Sequence, residues 1–253
     1  MTNIKITHEN CNYEKHFQFN DFANSSISIE IRFDKIVSVQ SKKAHKLNLI
    51  ESIKSEISKF SWLICGSVNL EVAFYLDAIQ RQETDKIGDI DNITKPIIDS
   101  LLGYNGILID DSQIGSLTSL WISRYETISE NILKLKIEFN NDFCISKNNL
   151  IFIQYIGAIC TPITFRTGNL TDMIYGLVLV KTRLKYRKFA EYSKKKYQNI
   201  DYRFVQSMWD FHKSRLNKFP KEQILTLTEF KSRCKNEGMN SISIFKIALQ
   251  KNK

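Results

Sequence analysis

The sequence is poor in the residues that build small stapled, metal-bound or linker-rich proteins. It has five cysteines, an odd number, none placed as Cys-x-x-Cys, which excludes a disulfide framework and a zinc ribbon. They read as reduced, mostly buried small hydrophobes. Four histidines (His8, His16, His45 and His212) are too scattered for an imidazole metal site. Nine glycines and three prolines leave no low-complexity linker, no P-loop and no dinucleotide fingerprint. There is no internal repeat. The most apolar stretch, Leu150 to Phe165, is broken by Gln154, Gly157, Thr161 and Pro162, so no membrane span is expected. The first residues, MTNIKITHENCNYEKH, are polar and lack the apolar core of a secretory signal, so the expected address is the cytoplasm.

What is present is an ordinary globular composition over 253 residues, 43% hydrophobic and 25% charged, enough for one large domain or two small ones. The net charge of +9 is unevenly spread. Lys181 to Lys253 holds 19 basic and 6 acidic residues, a net +13, which leaves residues 1–180 at −4. A basic half on an acidic chain points to an acidic partner, nucleic acid first, although a lysine-rich solvated helix surface has the same composition.

The periodicities divide the chain. SISIEIRF and SVNLEVAFYL alternate as half-buried strands, and Leu47, Ile50, Ile53 and Ile57 recur at helical spacing over 43–59. Ile93, Ile97, Leu101 and Leu102 form the face of a second helix beginning around Asn92 to Lys95, where Pro96 is tolerated, and stopping at Gly103. GSLTSLWISRY and NILKLKIEF read as two further strands, expected to pair as a hairpin. The front is therefore an α+β mixed sheet with helices on one face. Beyond it the pattern turns mainly helical: 171–198, 201–217, and a third helix announced by the capping-box pair Thr226 and Glu229. Residues 241–250 read as a fourth helix or a strand. The expected domains are 1–145 and a basic, mostly helical extension over 146–253.

Chemistry concentrates in GDIDNITKPIIDSLLGYNGILIDDSQI, Gly88 to Ile114, which holds five aspartates and one lysine around an apolar helix. Asp89 and Asp91 lie on one side of an extended segment, and Asp91, Lys95 and Asp99 share a helical face. Asp110 and Asp111 arrive from a separate segment. Clustered carboxylates repel unless a cation or a shared proton neutralises them. Hard oxygen donors without His or Cys suit Mg²⁺ or Mn²⁺. A lysine among them can offset charge on a phosphate. Each acid also has a plainer reading: Asp89 or Asn92 as a helix cap, Asp91–Lys95–Asp99 as a surface ion-pair ladder, Asp110–Asp111 as a turn.

The order of residues over Asp89–Ile114 closely resembles the signature of the RusA-type crossover junction endodeoxyribonucleases. Asp-x-Asp-Asn is followed by Lys, then Asp-x-Leu, a glycine-bearing turn and Asp-Asp-x-Gln-aliphatic. Here these are Asp89, Asp91, Asn92, Lys95, Asp99, Leu101, Gly106, Asp110, Asp111, Gln113 and Ile114. VSVQSKKAHK, Val37 to Lys46, is similar to the family's N-terminal basic loop, and the likeness spans about residues 27 to 140. It implies a homodimeric, Mg²⁺-dependent nuclease that resolves four-way (Holliday) junctions by paired nicks. In it Asp89, Asp91 and Asp111 bind the metal and Lys95 is catalytic. Asp110, Asp99, Asn92 and Gln113 would support them.

Family members end soon after the last strand, whereas this chain continues to Lys253. The extension could grip DNA, dock on another protein, or redirect the nuclease to other branched or foreign DNA. A non-catalytic DNA- or partner-binding protein on the same fold is the remaining alternative. The candidate DNA contacts are Lys42, Lys43, Lys46, Lys185, Arg187, Lys188, Lys194, Lys195 and Lys196. Tyr186, Tyr192, Tyr197 and Tyr202 lie among them and could stack on bases, but aromatics at such spacing are expected in a core. Trp209, Phe211 and His212 are expected to pack as well.

Overall fold

The protein is described by a computed structural model over residues 5–9, 24–33, 43–77, 89–124, 131–140, 144–197 and 210–238. It divides into two compact units, residues 1–144 and 145–253.

The first unit is built from β1 (Lys5–Glu9), β2 (Asn24–Phe33), α1 (Lys43–Ile57), β3 (Trp62–Ile64), β4 (Val68–Asp77), α2 (Ile90–Ser100), β5 (Ile114–Arg124) and β6 (Asn131–Asn140). Five strands form one mixed sheet in the order β1-β2-β6-β4-β5. Period-two alternation sends Ile27, Ile29, Ile31 and Phe33 of β2 and Leu133, Leu135, Ile137 and Phe139 of β6 into the core. Ser28, Glu30, Lys134 and Lys136 take the other face. Leu49, Ile53 and Ile57 of α1 and Ile93 and Ile97 of α2 complete that core, so both helices cover the same face of the sheet.

The expected β5–β6 hairpin does not form. β4 lies between them, antiparallel to β6 and parallel to β5. The reason is visible in burial. Val72, Ala73 and Phe74 are buried in succession, as suits a strand flanked on both sides, whereas β5 leaves Leu117, Leu120 and Ile122 exposed, as suits an edge. Parallel neighbours need a long crossover, and the one from β4 to β5 contains α2. The carboxylate-rich stretch is that crossover.

Helix α2 begins two residues before the expected start, so Pro96 sits inside it. After Leu101 the chain reverses through Gly103, at φ 92°, and Gly106. A Cβ on Gly106 would strike the Leu101 carbonyl, so only glycine allows the backbone this close. The turn is then closed by Ile107 N and Leu108 N donating to Leu101 O at 2.8 and 2.9 Å, and Ile64 N donating to Ile107 O at 2.8 Å. Ile107, Leu108 and Ile109 are buried.

Strand β7 (Cys144–Ser146) crosses the boundary residue by residue. The second unit holds β8 (Leu150–Ile156), β9 (Ile159–Thr164), α3 (Leu170–Tyr197), β10 (Phe211–His212), β11 (Ile224–Thr226) and α4 (Leu227–Asn236). The apolar stretch over 150–165 is a hairpin, β8 with β9, turning at Gly157 (φ 52°) within a four-stranded sheet ordered β10-β9-β8-β11. One face packs Ile151, Ile153 and Ile163 against Met173 and Val180 of α3 and Phe230 of α4. Elsewhere Phe152 meets Phe211 and Phe219, with ring centroids 6.5 and 4.9 Å apart.

Thr226 caps α4 through the expected box, with Glu229 N donating to Thr226 Oγ1 and Thr226 N to Glu229 Oε2. The helix expected over 201–217 is corrected over its described part. Phe211–His212 is a strand and Lys213–Leu216 a 3-10 turn, with His212 exposed and its Nδ1 accepting from Ser214 N. The segments 201–209 and 241–250, with Tyr202 and Trp209, lie outside the described residues. No helix among the described residues is long and apolar enough to cross a membrane.

Candidate active site

Two segments carry the acids, and the contact between them runs through Lys95, which meets Asp99 and Asp111. Asp89 occupies the N-cap of α2 in extended conformation, but its side chain makes no capping hydrogen bond. Asn92 lies inside the helix and is no cap. Asp89 and Asp91 are exposed, and neither has a side-chain hydrogen bond or ion pair among the described residues. Capping therefore does not account for the Asp89 carboxylate, nor the ion-pair ladder for that of Asp91.

Lys95, one turn further, reaches both ways. Its Nζ lies 3.1 Å from Asp111 Oδ2 and 3.4 Å from Asp99 Oδ1. Partial burial opposes the Lys95 charge, but the hydrogen bond to Asp111 and the fields of Asp99 and Asp111 outweigh it and hold its pKa above the ordinary lysine value. The expected ladder is thus partial: Asp99 joins Lys95, Asp91 does not, and Asp111 enters from outside the helix.

Asp111 is aimed by its neighbours. It opens a 3-10 turn, Asp111–Gln113, whose cap is Asp110, with Asp110 Oδ2 accepting from Ser112 N at 3.1 Å. Gln113 has no exposed surface. Its Oε1 accepts from Ile109 N at 2.7 Å and Asp110 N at 3.0 Å, and its Nε2 donates to Ile64 O and Gly66 O, both at 2.8 Å. One buried amide therefore clamps the Ile109–Asp110 backbone, just ahead of Asp111, to the chain around β3. Thr94 fixes the other half. Its hydroxyl donates to Ile90 O at 2.6 Å and lies 3.1 Å from Ser119 Oγ on β5. Thr94 escaped the sequence reading because threonine in a helix carries no signal until its strand partner is known.

Donor chemistry suits a hard divalent cation: Asp89, Asp91 and Asp111 offer carboxylate oxygens from two segments. Among the described residues no group of three or more His, Cys, Asp and Glu stands gathered around one point. A polar depression of about 250 Å³, lined by Asn69, Glu71, Ser116, Thr118, Lys136 and Glu138, lies on the sheet face away from the helices, not at these acids.

Of the basic candidates, Lys42 lies outside the described residues, and Lys43 and Lys46 fall in α1 with undescribed side chains. Lys185, Arg187, Lys188 and Lys194–Lys196 are exposed on α3 in the second unit. The aromatics among them are not core: Tyr186, Phe189, Tyr192 and Tyr197 are all more than half exposed. The hydrophobic side chains that α3 packs into the described core lie at or before Leu184, and beyond it Ser193 is the one buried position among the described residues.

Sequence reasoning also missed a half-buried polar cluster in the second unit. Asp210 Oδ2 accepts from Tyr155 Oη at 2.7 Å and Arg183 NH1 at 2.6 Å. Nothing local in the sequence pairs residues this far apart.

The profile of the family described as endodeoxyribonuclease RusA matches residues 24–138. No curated protein matches the chain.

Proposed function

We propose that the protein, whose residues 24–138 match the endodeoxyribonuclease RusA family, is a Mg²⁺-dependent nuclease that resolves four-way DNA junctions by paired nicks, acting as a homodimer. The observation that carries the site assignment is the Lys95–Asp111 contact at 3.1 Å, which joins two halves of the motif 16 residues apart in sequence.

Members of the family depend on a divalent metal. Here Asp89, Asp91 and Asp111 would hold it, with Mn²⁺ as the alternative ion. Bound there, it would supply an activated water and offset charge on the phosphoryl group. The chain's own part is orientation and charge. Gln113 and Asp110 set the direction of Asp111. Thr94 ties α2 to β5, so Asp89 and Asp91 sit on an anchored helix end. Lys95, held charged by its two aspartates, would offer an ammonium to a phosphate oxygen.

The exposed cations of α3 favour a second reading of substrate: the extension adds grip for branched or foreign DNA beyond the four-way junction. The test incubates the protein and Mg²⁺ with a mobile four-way junction, a flap, a matched duplex and a single strand, beside Asp91→Asn and an EDTA control. Paired symmetric nicks in the junction alone, lost in both controls while junction binding persists, support resolution. Cleavage of the other branched DNAs favours the second reading. Cleavage that survives Asp91→Asn overturns the site. Tight binding of the junction without cleavage favours a non-catalytic binding protein.

A further inference from the structure

Helix α3 has two faces of opposite character. Met173, Gly176 and Val180 face the core, and Gly176 lies so close that a Cβ would fall 2.7 Å from Phe230 and 2.9 Å from Ile163. On the other side Tyr175, Val178, Tyr186, Phe189, Tyr192 and Tyr197 are 50–63% exposed. At 3.6 residues per turn these six fall within an arc of about 140°, roughly opposite the core face. Single exposed hydrophobics are ordinary, but four exposed rings clustered on one face from Tyr186 to Tyr197 mark a binding surface.

The stripe is set among cations. Seven exposed Lys and Arg lie between Lys181 and Lys196. The helix's two acids do not balance them: Asp172 is buried and bound by Arg166, and Glu191 pairs with Arg187 at 3.8 Å. Lys196 Nζ lies 5.8 and 5.2 Å from the ring centroids of Tyr192 and Tyr197, so rings and cations form one surface.

Charge decides the occupant. A second copy laid on this face would bring seven cations against seven. A lipid surface is served by Trp, Phe and Leu, whereas four of these six residues are tyrosines and only Val178 is aliphatic. A nucleic-acid strand answers both features, with bases stacking on rings while phosphates meet Lys and Arg. Bases paired in a duplex are stacked on one another and cannot do this, so the strand is unpaired.

We propose that the exposed face of α3 from Lys185 to Tyr197 binds single-stranded DNA. Unpaired bases stack on Tyr186, Phe189 and Tyr192, and phosphates are held by Lys185, Lys188 and Lys196. The choice of DNA over RNA rests on the nuclease reading; the single-strand preference does not. Such a surface would direct the protein to DNA with unpaired segments, as at the branch points of flaps, gaps and unwound junctions.

The test measures binding by full-length protein in EDTA, so that cleavage cannot intervene. The probes are fluorescent oligothymidylate, a matched duplex, oligouridylate, and vesicles of phosphatidylserine and phosphatidylcholine. The variants are Phe189→Ala with Tyr192→Ala, and Lys185→Ala with Lys188→Ala. All four side chains are exposed, so the core is untouched, which a thermal melt checks. The aromatic pair should lose about tenfold or more in single-strand affinity, with duplex affinity changed less than about twofold and the salt dependence preserved. The lysine pair should weaken both DNAs and flatten the salt dependence. Equal loss on single strand and duplex, unchanged single-strand binding in the aromatic variant, tighter binding to oligouridylate, or binding to vesicles in place of DNA would each overturn the proposal. Asp91→Asn should bind oligothymidylate like the wild type. Single-strand binding by a protein that cleaves nothing would therefore fail the nuclease reading alone, and junction cleavage without ring-dependent binding would fail this one alone.

Discussion

The Lys95 ammonium lies 3.1 Å from Asp111 Oδ2 although the two side chains are 49% and 39% exposed. An ion pair so open to water contributes little to folding, about 0–1 kcal/mol. A contact that joins a helix to a separate turn without stabilising either much is better explained by chemistry than by architecture.

Replacing Lys95 with Ala should therefore separate activity from stability. Junction nicking should fall by about a hundredfold or more, the scale of losing one group that stabilises transition-state charge, while the melt shifts by no more than about 1 kcal/mol. The pH dependence has a definite sign. The folded pKa of Lys95 is raised, so its small stabilising contribution is complete below the unfolded lysine value and is lost as pH rises through the folded one. The melting difference between wild type and Lys95→Ala should shrink only in strong alkali. A large loss of stability at neutral pH with full activity would reverse the assignment.

Gln113→Leu should do the opposite. It keeps an apolar side chain in the pocket but strands Ile109 N, Asp110 N, Ile64 O and Gly66 O in a buried site. Each orphaned group costs about 1–3 kcal/mol, so urea unfolding should show a loss of about 3 kcal/mol or more. A near-neutral variant would mean that water replaces the amide there.

Lys147 is buried, and its ammonium has no hydrogen-bond partner among the described residues. Burial pushes its pKa down to about 8. The unfolded chain then binds the proton more tightly, so stability rises with pH between about 8 and the ordinary lysine value of 10.5. Lys147→Met should stabilise the protein at neutral pH by up to about 3 kcal/mol, and the gain should fade towards pH 10. A destabilised Met variant would show that the ammonium has a partner that matters.

Asp172 is fixed by Arg166, which donates from Nε and NH2 at 2.8 Å each and from its backbone N at 2.9 Å. The side-chain hydrogen bond from Arg166 is the main cause that lowers the Asp172 pKa. Its stabilising contribution is present above the unfolded carboxyl value and is lost as pH falls through the folded one. The melting difference between wild type and Asp172→Asn should be largest near neutrality and close in acid. A difference independent of pH would assign the cost to geometry instead of charge.

How far the sequence reached can be followed in single residues. Period two placed Ile27, Ile29 and Ile31 in the core, and the Thr226–Glu229 spacing announced its helix, because alternation and capping are local. The β5–β6 hairpin failed because pairing partners are chosen across the sheet. Tyr186 and Tyr192 were expected inside because spacing on a helix says which residues share a face, not whether anything covers that face.

The sequence by itself determined β2, β4, β5, β6 and both helices of the first unit, though not the short β1 and β3, together with the acidic motif from Asp89 to Ile114 and the basic charge beyond Lys181. These depend on side-chain order over a few turns, which neighbours along the chain dictate. Only the tertiary structure decided that β4 separates β5 from β6, that buried Gln113 aims Asp111 at Lys95, and that the rings of α3 face water. Those outcomes turn on contacts between distant residues, whose hydrogen bonds and burial exist only once the sheet and helices have closed around them.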